Sequence, residues 1–269
     1  MAKSPLLEAL STPLDDWWKR DLAPVEVAVL DSGIDATHKD LQGRVAASFA
    51  VEPGEGGPQL REIPLGTNND VYGHGTAVGG IVARLAPNAR LIDLRILGTD
   101  NGGSSECLVR GLKEAVQRKW PVLNLSLALK RQYADLVRPL CEVAWHQGQT
   151  IVSAMRNYPV SDYGLPAEFA TSISVETDTF PDTHHIRFQP GEIIEFVALG
   201  DNVTVPAPGG GYTQREGTSM ATPVISGLCA VLLGAFPGLL PFEVRTVLKH
   251  HAEIAKPAPA REVDSAAPA

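Results

Sequence analysis

Apolar and polar positions along this chain alternate between two rhythms. Val25-Glu26-Val27-Ala28-Val29-Leu30 passes from alternation into a continuous apolar run, which predicts a buried strand ending abruptly at Asp31-Ser32-Gly33. Arg90 to Leu97, Val122 to Leu127, Thr150 to Ala154 and Ser172 to Glu176 read as further strands, and residues 186–205 form another strand-rich stretch. Between them the period changes to that of a helix. His74 opens an apolar segment to Leu85. Ser104 or Ser105 is placed to cap a helix to Lys119, with Leu108, Leu112, Ala115 and Val116 on one face. Leu136, Leu140, Val143 and Ala144 predict the buried face of the next helix. One more helix follows Ser219, and a short one starts near Pro241.

Strands that alternate with helices of about a dozen residues predict an α/β fold: a largely parallel central sheet with helices on both faces. Leu6, Leu7, Leu10, Leu14, Trp17 and Trp18 predict a short N-terminal helical extension over 1–24 that packs on a body spanning 25–255. Residues 52–69, rich in Gly, Pro and polar groups, read as a surface loop. Residues 256–269 are mostly Ala and Pro without periodicity, which predicts a disordered tail.

The chain has 269 residues, 44% of them hydrophobic, enough to bury a sizeable core. Its formal charge is −8 and it has no long run of Lys or Arg, so neither nucleic acid nor an anionic membrane is an expected partner. The apolar stretch Met220 to Phe236 is interrupted by Thr222, Pro223, Ser226, Gly227 and Gly234, which favours a buried helix over a membrane span. Cys107, Cys141 and Cys229 share no metal-like spacing. They read as buried thiols of a reducing compartment. Met1 to Asp16 lacks the basic-then-apolar pattern of a secretory signal, so the expected location is the cytoplasm. Nothing in the sequence speaks to oligomeric state.

Three segments place polar residues beside glycines at the edges of apolar elements: Leu30-Asp31-Ser32-Gly33, Gly73-His74-Gly75-Thr76, and Gly217-Thr218-Ser219-Met220-Ala221-Thr222-Pro223. Taken alone, Asp31 could be a turn cap, His74 a core histidine and Ser219 an N-cap. Together they supply what a serine nucleophile needs: a hydroxyl, a base to take its proton, and a carboxylate to orient the base. Ser219 at a helix start would also bring backbone N–H groups to a developing oxyanion.

These segments, in this order, resemble the three motifs of the subtilisin-like serine peptidases, with the likeness running from about Val25 to Leu248. The resemblance implies a serine endopeptidase with Asp31, His74 and Ser219 as its catalytic triad, acting on a peptide or protein without a cofactor. Ile151-Val152-Ser153-Ala154-Met155-Arg156-Asn157 is similar to the strand carrying the family's oxyanion asparagine, which makes Asn157 the side-chain donor. It further implies that Ser126, Leu127 and Ala128 pair with the substrate backbone. Gly102, Gly103 and Ser104 would form the opposing edge, with Gly164 at the base of the pocket for the residue preceding the scissile bond.

There are departures from the family pattern. Ala128 and Leu129 replace glycines, Arg156 stands where a glycine usually precedes the oxyanion asparagine, and Ala77 and Val224 replace common histidines. Arg156 could favour an acidic substrate residue, fill the pocket, or turn away to solvent or a protein carboxylate. His74 to Leu85 runs straight into Ala86-Pro87-Asn88 without the inserted calcium loop of many subtilisins, so no metal is expected there. Two other readings are a maturation protease with one dedicated intracellular precursor and a catalytically silent peptide-binding domain.

Overall fold

The computed structural model describes residues 4–99, 103–157 and 162–254. The predicted strand at the N-terminal end of the body is β1 (Val25–Asp31), and it lies in the middle of a ten-stranded sheet. The other strands are β2 (Val45–Glu52), β3 (Gln59–Glu62), β4 (Ala89–Arg95), β5 (Val122–Leu125), β6 (Thr150–Ala154), β7 (Ser172–Asp178), β8 (Ile186–Phe188), β9 (Phe196–Leu199) and β12 (Glu253–Ile254). Their order is β12-β8-β9-β7-β6-β5-β1-β4-β2-β3. From β2 to β9 through β1 every neighbouring pair is parallel. Only β2–β3 and β8–β9 are antiparallel. A separate hairpin joins β10 (Val203–Pro206) to β11 (Tyr212–Arg215).

The chain starts in the centre, builds β2 and β4 to one side, then crosses to β5 on the other. The order therefore reverses around β1, and Asp31 sits at the carboxyl end of the strand where α/β sheets open a crevice. Alternation along β1 sends Val25, Val27 and Val29 to one face and Ala28 and Leu30 to the other. The first face is covered by α2 (His74–Leu85) and α5 (Thr218–Ala235), the second by α3 (Ser105–Arg118) and α4 (Ala134–His146). Every residue of α5 except Ser219 and Leu233 is buried. This helix, long and apolar enough to cross a membrane, is a core element here.

The N-terminal segment forms α1 (Pro5–Ser11) and a 3₁₀ helix, Leu14–Lys19. Trp17 is fully buried and packs edge-on against Phe236 and His251. It thereby shares the core of α5 and of α6 (Pro241–His251). Trp18 donates from Nε1 to the Leu85 carbonyl (2.8 Å).

Two expectations are corrected. The loop over 52–69 contains β3, an exposed edge strand paired antiparallel to β2, whose polar side chains hide it from a hydrophobicity pattern. On α4 the predicted Ala144 is buried and Leu140 packs partly buried against the core, but Leu136 and Val143 face solvent and Val137 and Cys141 complete the buried stripe instead. The predicted tail, 256–269, lies outside the described residues.

Candidate active site

Asp31 leaves β1 fully buried. Its Oδ1 accepts from the Ser32 N–H (2.7 Å) and lies 2.7 Å from His74 Nδ1. A carboxylate only accepts, so Nδ1 carries the proton and Nε2 of the neutral ring is left with a bare lone pair. The first turn of α2 lies directly on the Asp31-Ser32-Gly33 turn. A Cβ at Gly75 would come within 2.1 Å of the Gly33 carbonyl oxygen, so only glycine permits this approach.

Asp70 organises the same junction, although nothing in the motif reading singled it out. Its Oδ1 accepts from Ser32 Oγ (2.8 Å), Tyr72 N (2.9 Å) and Gly73 N (2.7 Å), and its Oδ2 from Thr76 N (2.9 Å) and the Thr76 hydroxyl. Ser32 Oγ in turn accepts from Gly75 N (2.9 Å). One carboxylate thus ties the end of β1 to the start of α2 and holds His74 over Asp31. Its signal in the sequence was a carboxylate four residues ahead of His74 at a helix N-terminus.

Burial alone would push the His74 imidazolium down. The charge and hydrogen bond of Asp31 outweigh it, Arg215 subtracts and Asp70 adds, and the net result lies above the ordinary histidine value. Arg215 reaches this site from β11, with its guanidinium 5.9 Å from the centre of the exposed Tyr72 ring.

Ser219 occupies the first turn of α5. Its Oγ donates to the Ser126 carbonyl oxygen (3.0 Å), and Ser126 Oγ donates back to the Ser219 carbonyl oxygen (2.9 Å). Pro223, four residues on, has no N–H to offer that carbonyl, and the Ser126 hydroxyl takes the vacant place. Ser126 Oγ also accepts from Asn124 Nδ2 (3.0 Å).

Asn157 faces the Thr218 backbone N–H (3.3 Å) and the Thr218 hydroxyl (3.0 Å). A backbone N–H can only donate, so the facing atom is Oδ1 and Nδ2 is left to serve an incoming oxygen. Asn157 and Gly217 border a cavity of about 510 Å³.

His74, Ser219, Gly103, Ser104, Ser126, Leu127, Ala128 and Arg156 line one cleft of about 600 Å³. Gly102 lies outside the described residues. Gly164 is buried and is not among the residues that line the cleft. A Cβ at Gly164 would lie 2.6 Å from Ala128 Cβ and 3.4 Å from Arg156 Nε, so these two side chains, both standing where the family pattern has glycine, form the floor above it. Leu129 and Leu165 exchange two backbone hydrogen bonds of 2.9 Å that hold these two segments together. Arg156 pairs with a protein carboxylate, its Nη1 lying 3.2 Å from Asp162 Oδ2, while the residue still lines the cleft.

Among the described residues no group of three or more His, Cys, Asp or Glu is placed to hold a metal ion. The three cysteines are buried, and burial pushes the Cys141 thiol up to about 12, far from a reactive thiolate.

A hydroxyl, an imidazole and a carboxylate at the carboxyl edge of a parallel sheet define an α/β serine hydrolase. The family follows from comparison with known proteins: the chain belongs to the subtilase family, whose model matches residues 23–266. Subtilisin BL of Lederbergia lenta is 34% identical over 85% of this chain and 83% of its own. Alkaline elastase YaB of Bacillus sp. (strain YaB) is 32% identical over 85% of this chain, which spans 59% of that longer relative. A cold-adapted subtilisin-like serine proteinase superposes with a TM-score of 0.69 at 23% identity, covering 86% of this chain and 82% of its own. The chain is therefore a serine endopeptidase acting on peptide or protein substrates.

Proposed function

We propose that peptide-bond hydrolysis proceeds here through an acyl-enzyme on Ser219. One observation carries this assignment: His74 is held by Asp31 with its basic nitrogen bare, in the same cleft as Ser219 Oγ. The hydroxyl turns from the Ser126 carbonyl to His74 Nε2, gives up its proton there and attacks the substrate carbonyl. His74 then delivers the proton to the leaving amine while Asp31 stabilises the imidazolium. Asn157 Nδ2 and the Ser219 N–H receive the oxyanion. The substrate lies extended between Gly103-Ser104 and Ser126-Leu127-Ala128.

The finer reading is an intracellular processing protease with a restricted substrate set. The closed floor over Gly164 supports restriction, because it removes the room that glycines would leave for bulky side chains. The three unpaired buried thiols support a reducing, cytoplasmic compartment. Labelling with a fluorophosphonate, abolished by Ser219→Ala, tests the nucleophile. Mapping of new protein N-termini in cells with and without the active enzyme tests the restriction. Cleavage spread across most of the proteome would overturn it.

A further inference from the structure

Arg156 enters the cleft from the end of β6 on a stem fixed at both ends. Its backbone N–H donates to the Tyr163 carbonyl (2.8 Å), and its Nε and Cβ lie 3.4 and 3.5 Å from the position a Cβ at Gly164 would take. Asp162 is held in turn, its Oδ1 accepting from the Gly164 N–H (3.1 Å), and it is not among the residues that line the cleft. A guanidinium has five donors in a planar fork, and this contact engages one nitrogen, Nη1. Arg156 lines the same space as Ser219 and His74. Lys130, exposed on the rim, lines that space too. No Asp or Glu does so among the described residues, although carboxylates outnumber cations in the chain as a whole.

A long apolar side chain finds its slot filled by the Ala128 methyl and the Arg156 stem. A side chain ending in a carboxylate finds a donor at the depth it can reach. We infer that Arg156 selects an acidic residue, glutamate above all, immediately before the scissile bond, its guanidinium shared between Asp162 and the substrate carboxylate. Lys130 adds attraction at the rim. Charge-assisted contact with a fork that is already oriented gives discrimination on the order of tenfold to a hundredfold over the neutral isostere. Part of it is lost to salt because the cleft is open to solvent.

The inference rests on the acyl-enzyme reading of Ser219, and the test separates the two. Peptides differing only at that position, with Glu, Gln, Ala or Leu, are compared by kcat/KM at low and high salt. Glu should exceed Gln by roughly tenfold or more, with the ratio shrinking at high salt. Arg156→Gly should bring the ratio to about one and raise turnover of the Leu peptide. Asp162→Asn should raise the ratio, since the guanidinium loses its internal counter-ion. A wild-type ratio near one, or one that survives Arg156→Gly, overturns the assignment. Should the glycine variant fold poorly, Arg156→Gln gives the same reading with the stem retained. Fluorophosphonate labelling run alongside distinguishes the failures: an unlabelled wild-type enzyme sinks the nucleophile reading, and a labelled enzyme with no preference for Glu sinks Arg156 alone.

Discussion

Ser126 and Ser219 exchange hydrogen bonds, each hydroxyl donating to the other's main-chain carbonyl. The exchange couples the segment that should hold the substrate to the residue that should attack it, through the carbonyl that Pro223 leaves without a helical donor. Ser126→Ala removes one half and leaves both the Ser219 carbonyl and Asn124 Nδ2 short of a partner. A net hydrogen bond contributes about 1 kcal/mol. We expect kcat to fall by roughly tenfold with a melting temperature lowered by only a few degrees. Unchanged kcat would show that the exchange has no part in aligning the nucleophile.

Ser219→Ala should leave the fold intact and reduce kcat on the order of 10⁶, the scale established for subtilisin rather than one derived from this geometry. Asn157→Ala, which removes the Nδ2 donor, should reduce it by roughly 10² to 10³ on the same footing. Steady-state kinetics on a cleaved peptide, with circular dichroism as the folding control, measure both.

His74 must be neutral to accept the Ser219 proton, so the acid limb of kcat/KM should lie above the ordinary histidine value. Arg215 lowers this pKa and Asp70 raises it. Arg215→Gln should therefore move the limb to higher pH, and Asp70→Asn to lower pH. The two shifts have opposite signs, which a general loss of packing would not produce. A limb that moves the same way in both variants would refute the electrostatic assignment.

Asp93 on β4 is buried beneath this site. Its Oδ2 accepts from Ser48 Oγ (2.5 Å) and Asn69 Nδ2 (2.9 Å), while Oδ1 has no partner among the described residues. Burial pushes its pKa up from 3.8 to about 7, the Ser48 and Asn69 donors pulling it back and the Asp70 charge adding to the rise. The folded state thus holds this proton more tightly than the unfolded chain. The stabilisation is complete below pH 3.8 and is lost as pH rises through about 7, on the order of 4 kcal/mol in all. Asp93→Asn should gain on the wild type as pH rises from 5 to 9 in denaturant titrations. Parallel profiles would contradict the shift.

Trp17 lies in the main core although it precedes the first strand. Trp17→Ala should lower unfolding free energy by about 3–5 kcal/mol. Trp18→Ala, at a partly buried site with one hydrogen bond to Leu85, should cost less. Equal effects would mean that the extension is no part of the core.

Elements with a buried apolar period were legible in the sequence. β1, α2 and β6 fall where alternation or a helical stripe placed them, because their burial writes itself into residue type. β3 was not legible, since an exposed edge strand is held by backbone hydrogen bonds that leave no hydrophobic trace. The face of α4 was legible only in part, at Ala144 and Leu140, because Leu136 and Val143 are apolar yet exposed. At the site, the triad residues stood out by their glycine-flanked motifs. Asp70 did not, because its role lies in five acceptor contacts made across a fold junction. The covering of Gly164 depends on Ala128 and Arg156 meeting from two separate segments, a relation that spacing along the chain does not encode.

A protease in solution is also exposed to its own activity, and the seating of Trp17 determines what a cut near the front of this chain would do. The segment from Pro5 to Lys19 does not enter the cleft. It is clamped at the far side by Phe236, His251 and the contact of Arg20 with Ala235. A chain without it would lose Trp17 from the core, leaving Phe236 and His251 without that packing partner. A cut there is therefore expected to act on stability.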